Sequence, residues 1–333
     1  MDFRGGVPGA EPANGWGDGG AFGAQVEPYR RELHLHCYRL LGSFDEAEDL
    51  VQETFLRAWR GRSSFEGRAA LRAWLYRIAT NACLDFLRRT PRRAVRHEAG
   101  RSPFAEMPWL QPYPDRLLDE LASREAEPDA VVVARETVEL AFLAAIQLLP
   151  PRQRAALILA DVLSWSAAET ASLLDTSVAA VNSALQRARA TLQKHRPASR
   201  LAAAPAAVPS EAERTLLRRY MEATERADLA AFVALLREDV RCTMPPTPVQ
   251  LEGRDSMGWM LEQAFGKQRV GDWRCLATAA NRSPAAACYL RRRGDTAYRA
   301  FSVTVLRVED GAVAELTAFV EQMFPAFGLP LTL

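Results

Sequence analysis

The spacing of hydrophobic residues changes once along this chain of 333 residues, and that change restricts its architecture. As far as about residue 195, apolar side chains recur every three or four positions, which is typical of amphipathic helices. A further helical run is predicted over Glu211–Leu236. From about residue 240, the pattern shifts to short alternating or apolar runs bounded by turns, which indicates strands, and Glu309–Gly311 is the predicted hairpin turn into the last strand. The sequence therefore predicts a multidomain protein in which two all-α helical domains precede an α+β domain.

Proline and glycine mark the boundaries between these parts. The first 23 residues contain eight of the 19 glycines and few groups that can pack, so they are predicted to be a disordered tail. Two proline-containing segments are predicted to be linkers, the first of them acidic, extended and outside the core, and the second rich in Ala and Pro. The predicted order is tail, helical domain, linker, helical domain, linker and α+β domain, at residues 1–23, 24–91, 92–130, 131–196, 197–210 and 211–333.

The distribution of charge indicates where a polyanion would bind. The whole chain is nearly neutral, with 42 Lys and Arg against 41 Asp and Glu. Residues 24–100 carry 14 basic and 10 acidic side chains, and residues 135–200 carry 8 and 5, whereas residues 104–134 carry 2 and 7. We therefore expect any nucleic-acid contact to lie in the helical domains.

The cysteines and the apolar content exclude several classes of protein. The five cysteines lie far apart without a CxxC pair, so neither a zinc site nor a secreted disulfide framework is expected, and the thiols are predicted to be free and buried. No metal or other cofactor is predicted. The chain has neither a signal-peptide pattern nor a stretch of about 18 apolar residues, so we expect a cytoplasmic protein without a membrane partner.

The segment Trp165–Leu192 has the layout of a helix-turn-helix. Ser166 and Glu169 form a capping-box pattern for a first helix, and Ser177 is the predicted N-cap of a second one. Polar and basic side chains suited to base edges and phosphates project from the second helix, opposite its apolar face, at Asn182, Ser183, Gln186, Arg187, Arg189 and Lys194. By periodicity alone, a helical hairpin with a solvated basic face is an equally good interpretation.

Two earlier blocks carry further patterns. In Phe65–Arg89, a polar and basic helix face accompanies aromatic side chains, which suits unstacked single-stranded bases, although Trp74 also fits a core position. The residues of interest in this block are Trp74, Arg77, Thr80, Asn81, Arg88 and Arg89. In Ser43–Trp59, an acidic face around Gln52 is either solvated surface or a docking face for a basic partner helix.

In this order and at these separations, the three blocks resemble an extracytoplasmic-function sigma factor of bacterial RNA polymerase, over residues 25 to about 195. The resemblance implies an alternative sigma factor that directs promoter-specific initiation, with core RNA polymerase (its clamp helices and flap) and promoter DNA as partners. It places Asp49, Gln52 and Glu53 against the clamp helices. It assigns −10 recognition to Trp74, Arg77, Thr80, Asn81, Arg88 and Arg89, with the loop 63–68 forming part of the base pocket. It assigns −35 recognition to Ser177, Asn182, Ser183, Gln186, Arg187, Arg189 and Lys194.

The last 120 residues resemble a SnoaL-like domain, a cone of helices packed on a curved mixed sheet. The resemblance implies a regulatory domain that responds to a small-molecule or protein regulator. Enzymes of this fold use pocket acids or histidines, but all four histidines precede residue 200, and only isolated acids remain as catalytic candidates: Asp239, Asp255, Asp272 and Glu315. We therefore expect no enzymatic activity. The rival interpretations are a ligand-sensing helix-turn-helix repressor and a cyclase-like or isomerase activity in this last domain.

Overall fold

A computed structural model describes residues 19–65, 71–90, 107–122, 138–195 and 209–333. The N-terminal helices are α1 (Gly19–Val26), α2 (Arg30–Leu41), α3 (Phe44–Gly61), α4 (Leu71–Arg89) and α5 (Asp115–Ala122). The next group comprises α6 (Leu140–Gln147), α7 (Pro151–Leu157), α8 (Ala167–Leu173) and α9 (Val178–His195). Single helical turns occur at Glu27–Tyr29, Arg62–Ser64, Ile158–Val162 (a π-helix), Glu321–Met323 and Pro325–Phe327.

The C-terminal part is α+β, as predicted. Its helices are α10 (Glu211–Glu225), α11 (Leu229–Ala234), α12 (Gly253–Ser256) and α13 (Gly258–Phe265). Its strands are β1 (Leu236–Met244), β2 (Thr247–Glu252), β3 (Gly271–Ala280), β4 (Ser283–Arg292), β5 (Arg299–Glu309) and β6 (Ala312–Val320). They form one mixed sheet in the order β2-β1-β6-β5-β4-β3, in which β1 and β6 are parallel and the other pairs are antiparallel.

Helices α2, α3 and α4 pack around one core. Gly42, at a φ of 72°, ends α2, and the Ser43 side chain then caps α3 by accepting a hydrogen bond from the Glu46 N–H (3.3 Å). The prediction of disorder is wrong for residues 19–23, because they begin α1, and the Phe22 ring packs against Trp59 with centroids 5.4 Å apart. Residues 1–18 lie outside the described part of the chain.

The prediction that residues 92–130 form an extended linker outside the core is wrong for residues 107–122. Met107, Leu110 and Tyr113 are buried, and α5 follows Pro114 with its leucines turned toward the helical core. The prolines precede this helix rather than interrupt it, so they are compatible with an amphipathic segment that packs on α2. The rest of this predicted linker is not described.

The helix-turn-helix is confirmed in its local structure. The Ser166 and Glu169 side chains form the reciprocal capping box of α8, and Asp175 adopts a φ of 49° in the turn. Ser177 caps α9 by accepting a hydrogen bond from the Ala180 N–H (3.2 Å). The α9 side chains Val181, Leu185 and Ala188 are buried as expected. The three- and four-residue spacing along α9 also predicts Val178 in this apolar face, but Val178 is 44% exposed.

The sheet buries both of its faces. Along β4, residues 286, 288 and 290 face one apolar cluster with α10, α11 and α13, whereas residues 285, 287 and 289 face another. The second cluster contains Met107 and Leu110 from the predicted linker and Leu140 and Ala144 from α6. The C-terminal part therefore packs directly on both the linker segment and the second group of helices.

Two details of the C-terminal part differ from the prediction. The single helical run expected over Glu211–Leu236 is divided into α10 and α11, because Ala227 between them adopts a φ of 52°. Strand β2 was not predicted.

The hairpin turn at Glu309–Gly311 is confirmed, with Asp310 and Gly311 both at positive φ. Among the described residues, no helix combines the length and apolarity needed to cross a membrane.

Candidate nucleic-acid interface

The second helix of the helix-turn-helix presents a continuous polar surface. Its buried side is fixed against α7 and α8, so the opposite side faces solvent. The exposed side chains on or before this helix include most of the predicted −35 contacts: Ser177, Asn182, Ser183, Gln186, Arg187 and Lys194. Amide, hydroxyl and guanidinium groups on one helix face supply the donors and acceptors that read base edges in a major groove.

Arg189 is placed differently from its neighbours. Its guanidinium donates to both carboxylate oxygens of Asp161, at 3.0 and 2.7 Å, and thereby ties α9 to the π-helical turn. The side chain is still largely exposed. In this structure Arg189 therefore positions α9. To contact DNA directly, its guanidinium would have to leave Asp161 and bind a phosphate instead.

Helix α4 presents the second predicted surface. Arg77, Asn81, Arg88 and Arg89 are exposed, and Arg88 also lies 3.3 Å from Asp85. The exposed amide of Asn81 lies among basic side chains on the same helix, which suits a strand of unpaired bases.

Two predicted members of this surface are less available. Trp74 is half-buried, and the centroid of its ring lies 5.1 Å from that of the Phe65 ring. The placement of Thr80 on the DNA face is wrong, because Thr80 is fully buried and its hydroxyl lies 2.8 Å from His36 Nε2. Thr80 follows Tyr76 by four residues and therefore shares the buried side of α4. Residues 66–70, which include part of the predicted base pocket, lie outside the described residues.

Helix α3 carries the predicted polymerase-binding face. Asp49 and Gln52 are exposed, and Leu56, one turn further on, is 50% exposed. Glu53 is half-buried and accepts a hydrogen bond from Arg57 (2.7 Å), which also reaches Asp85 of α4 (3.0 Å). Glu53 is thus partly exposed, and by binding Arg57 it helps to hold α3 against α4.

Arg154 of α7 joins the two groups of helices. Its buried guanidinium donates to the carbonyl oxygen of Leu40 at the end of α2 (2.5 Å), and to Gln147 Oε1 (2.5 Å). It also donates to the carbonyl oxygens of Gln147 (2.8 Å) and Leu149 (3.0 Å). Because a buried charge is tolerated only when it is well hydrogen-bonded, this network fixes the helix-turn-helix part to α2.

A turn of the C-terminal sheet inserts between the helical parts. Asn281, at a φ of 53° between β3 and β4, donates through Nδ2 to the Tyr38 hydroxyl (2.9 Å) and to the Val138 carbonyl oxygen (2.6 Å). Its Oδ1 accepts from the Tyr113 N–H (2.7 Å), and its own N–H donates to the Tyr113 carbonyl oxygen (2.9 Å). One buried side chain therefore connects α2, the linker segment and Val138, two residues before α6.

The neighbouring residue extends this contact. The Arg282 N–H donates to Asp115 Oδ1 (2.9 Å), and its guanidinium forms a hydrogen bond with Asp119 of α5. Sequence reasoning did not identify Asn281 or Arg282, because a polar pair in a hairpin turn is common and its long-range partners leave no local pattern.

Helix α2 carries two buried histidines, His34 and His36. His34 Nδ1 lies 3.1 Å from the Tyr113 hydroxyl, and His34 Nε2 lies 3.2 Å from the Phe44 carbonyl oxygen. Burial lowers the pKa of His34 to about 4 and that of His36 to about 3. Both rings are therefore neutral near pH 7 and act as structural hydrogen-bonding groups.

The acids considered as catalytic candidates are exposed or ion-paired. Arg237 holds the pKa of Asp239 below its usual range, and Arg291 and Arg269 do the same for Asp272. Asp255 is exposed, whereas Glu315 is buried and accepts a hydrogen bond from Arg307 (3.0 Å). The lowered pKa values of Asp239 and Asp272 favour the charged carboxylate, which is the wrong state for a general acid. Among the described residues, no His, Cys, Asp or Glu cluster is arranged to hold a metal ion.

Comparison with known families matches each part of the chain. Residues 25–93 match Sigma-70 region 2, residues 139–192 match Sigma-70 region 4, and residues 217–316 match a SnoaL-like domain. The first match contains α2–α4, the second contains α6–α8 and all but the last three residues of α9, and the third contains most of the sheet.

Whole-chain relatives show the same order of parts. The ECF RNA polymerase sigma factor SigG of Mycobacterium tuberculosis is 44% identical over 325 residues, which cover 93% of this chain and 84% of that protein. SigJ of the same organism is 29% identical over 304 residues, covering 88% of this chain and 89% of that protein. The crystal structure of SigJ covers 92% of this chain and 99% of its own, with a TM-score of 0.58 at 25% identity. The chain belongs to the extracytoplasmic-function sigma factors of bacterial RNA polymerase and carries a SnoaL-like C-terminal domain.

Proposed function

We propose that this sigma factor reads the −35 element with α9 and the −10 element with the exposed face of α4, while α3 docks on the polymerase clamp helices. Promoter-directed initiation is the activity of the family to which the chain belongs. The assignment of surfaces rests on Asn182, Gln186 and Arg187 on one helix and on Asn81 and its basic neighbours on the other. The family is not enzymatic, and we propose a regulatory role for the C-terminal domain.

We further propose that the SnoaL-like domain holds the two DNA-reading regions in a closed arrangement. The contact made by Asn281 carries this proposal, since one side chain bonds region 2, the linker segment and the start of region 4. The sheet also covers Met107 and Leu110 of that linker. We infer that the two regions separate when they bind polymerase and both promoter elements, so that these contacts would oppose the active arrangement.

The regulator is a small molecule or a protein that binds the open and closed arrangements unequally. Such a ligand shifts the population only by its difference in affinity for the two states. A preference of a few kcal/mol for the closed state is large enough to suppress activity and small enough for one ligand to reverse.

Run-off transcription with purified core polymerase and genomic promoter fragments tests the assignment of surfaces. The full-length protein should direct initiation from a specific set of fragments. Asn81→Ala should lower open-complex formation without weakening duplex binding, whereas Arg187→Ala should weaken duplex binding. Failure to bind core polymerase, or equal effects of both substitutions on duplex affinity, would contradict the assignment.

A further inference from the structure

The SnoaL-like domain contains two cysteines in direct contact. Cys275 of β3 lies opposite Cys288 of β4 in the antiparallel ladder, and their sulfur atoms are 3.4 Å apart. Both are free thiols, at 4% and 3% exposure. A disulfide bond is about 2 Å long, so a small movement of the two side chains would join them.

The backbone at this position has the spacing that a cross-strand disulfide needs. In a hydrogen-bonded antiparallel pair, each N–H donates to the residue opposite. The Cys275 N–H instead donates to Glu225 Oε1 at the end of α10 (2.8 Å), away from β4. The pair is therefore of the non-hydrogen-bonded type, whose Cα atoms lie about 4.5 Å apart, within the range of about 4.4–6.8 Å found in disulfides.

We propose that Cys275 and Cys288 are a modification site that forms a reversible intramolecular disulfide with an oxidant of the hydroperoxide class. One sulfur attacks a peroxide oxygen, so that an S–O bond forms as the O–O bond breaks, and the thiol proton passes to the departing oxygen, which leaves as water or an alcohol. The second sulfur then attacks the resulting sulfenic acid, so that the S–S bond forms, the S–O bond breaks and water leaves. Two thiols are oxidised as one peroxide is reduced. This inference is independent of the proposed promoter-reading surfaces.

The position of the pair predicts a slow reaction that is restricted to these two thiols. The hydrogen bond to Cys288 and burial raise the pKa of the Cys275 thiol, so Cys275 is protonated at neutral pH and reacts slowly. Strand β3 lies at the edge of the sheet, so we expect hydrogen peroxide to reach the pair when this edge opens locally. Cys242 of β1 is separated from β4 by β6 and β5 in the strand order, so it is not a partner for either sulfur.

The disulfide would stiffen the hairpin that contacts the helical regions. Cys275 and Cys288 enclose the twelve residues 276–287, and the turn at Asn281 and Arg282 lies at the far end of this loop. A cross-link between the two strands restricts the unfolded hairpin more than the folded one. We therefore expect the oxidised domain to melt at a higher temperature than the reduced domain.

Peptide mapping of the full-length protein tests the proposal. Trypsin cleaves after Arg274, Arg282 and Arg291, which places the two cysteines on separate peptides, 275–282 and 283–291. The reduced protein is treated with excess hydrogen peroxide over an extended time course, quenched with catalase, denatured and alkylated. The expected product is a pair of these peptides joined by a disulfide, which separates again after reduction.

Matched variants distinguish this site from general oxidation. Cys242→Ala removes a buried thiol of the same domain and should leave the cross-link intact, whereas Cys275→Ala or Cys288→Ala should abolish both the cross-link and the rise in Tm. The proposal is overturned if both cysteines remain alkylatable in the wild type, if either is oxidised to sulfinic acid instead, or if the bond involves Cys242.

Discussion

The side-chain amide nitrogen of Asn281 lies 2.9 Å from the hydroxyl oxygen of Tyr38, although 243 positions separate the two residues in the sequence. The Tyr38 hydroxyl in turn donates to the Gln111 carbonyl oxygen (2.8 Å). The tip of a C-terminal hairpin, a region 2 helix and the linker segment therefore share one chain of buried hydrogen bonds.

A double-mutant cycle measures the strength of this link. Tyr38→Phe removes the hydroxyl, and Asn281→Gly removes the amide while retaining the positive φ that Ala would strain. Each substitution should lower the free energy of unfolding by about 1–3 kcal/mol, because each leaves buried partners unsatisfied. Urea denaturation should show a coupling energy of about 0.5–3 kcal/mol between them.

Gln322→Ala is the control for this cycle, since within the described part of the chain that exposed amide donates only to its neighbour Glu321. It should change stability by less than about 0.5 kcal/mol. Strictly additive effects of Tyr38→Phe and Asn281→Gly would show that the two side chains do not interact in solution.

Arg154→Met tests the contact between regions 2 and 4. Met keeps an aliphatic side chain of similar length but lacks the guanidinium. The substitution therefore removes the hydrogen bonds to the carbonyl oxygens of Leu40 and Gln147 and to Gln147 Oε1. We expect a loss of at least about 2 kcal/mol in urea denaturation and faster amide exchange at the end of α2. Arg152→Met, an exposed neighbour on the same helix, should have little effect. If both variants lose a similar free energy of unfolding, the hydrogen bonds of Arg154 do not hold regions 2 and 4 together.

A binding assay should distinguish the proposed −35 contact of Arg187 from a general effect of charge. Arg187→Ala should weaken binding to −35 duplex by about 1–3 kcal/mol if the guanidinium contacts a base in two places. Arg226→Ala removes an exposed arginine from the SnoaL-like domain and serves as the charge control. Fluorescence anisotropy of labelled duplex measures both, and equal losses would indicate a purely nonspecific charge effect.

Much of the secondary structure was predictable from the sequence. The three- and four-residue spacing identifies α3, α4 and α9, and the capping box at Ser166 places the start of α8, because these signals are local. The alternation along β5 and the turn at Asp310 are equally local.

The errors concern residues whose environment is decided by distant parts of the chain. Tyr113 lies in a segment rich in proline and acids, yet it is buried by α2 and by the Asn281 turn. Thr80 has the polarity of a surface residue but pairs with a buried histidine from another helix. No local pattern shows either partner, so only the folded chain identifies the interface between the helical regions and the sheet.

Acid should destabilise the folded protein through its buried histidines. The pKa of His34 is lowered from 6.5 to about 4, so the unfolded state binds the proton first as pH falls. The stabilisation is complete above pH 6.5 and is lost between that value and about 4, by up to about 1.4 kcal/mol per pH unit for each such histidine. Urea denaturation between pH 7 and pH 5 should show this slope, and His34→Gln should reduce it. If His34→Gln and the wild type show the same dependence of unfolding free energy on pH, the pKa of His34 is not lowered in the folded protein.

The most direct test of the closed arrangement is run-off transcription with core polymerase and limiting amounts of full-length sigma factor. Asn281→Gly should raise promoter-specific transcription above the wild-type level, because it removes the hydrogen bonds that join the hairpin to α2, the linker and the start of region 4. Gln322→Ala should match the wild type. If Asn281→Gly instead leaves transcription unchanged or lowers it while the protein remains folded, the SnoaL-like domain does not restrain the two DNA-reading regions through this contact.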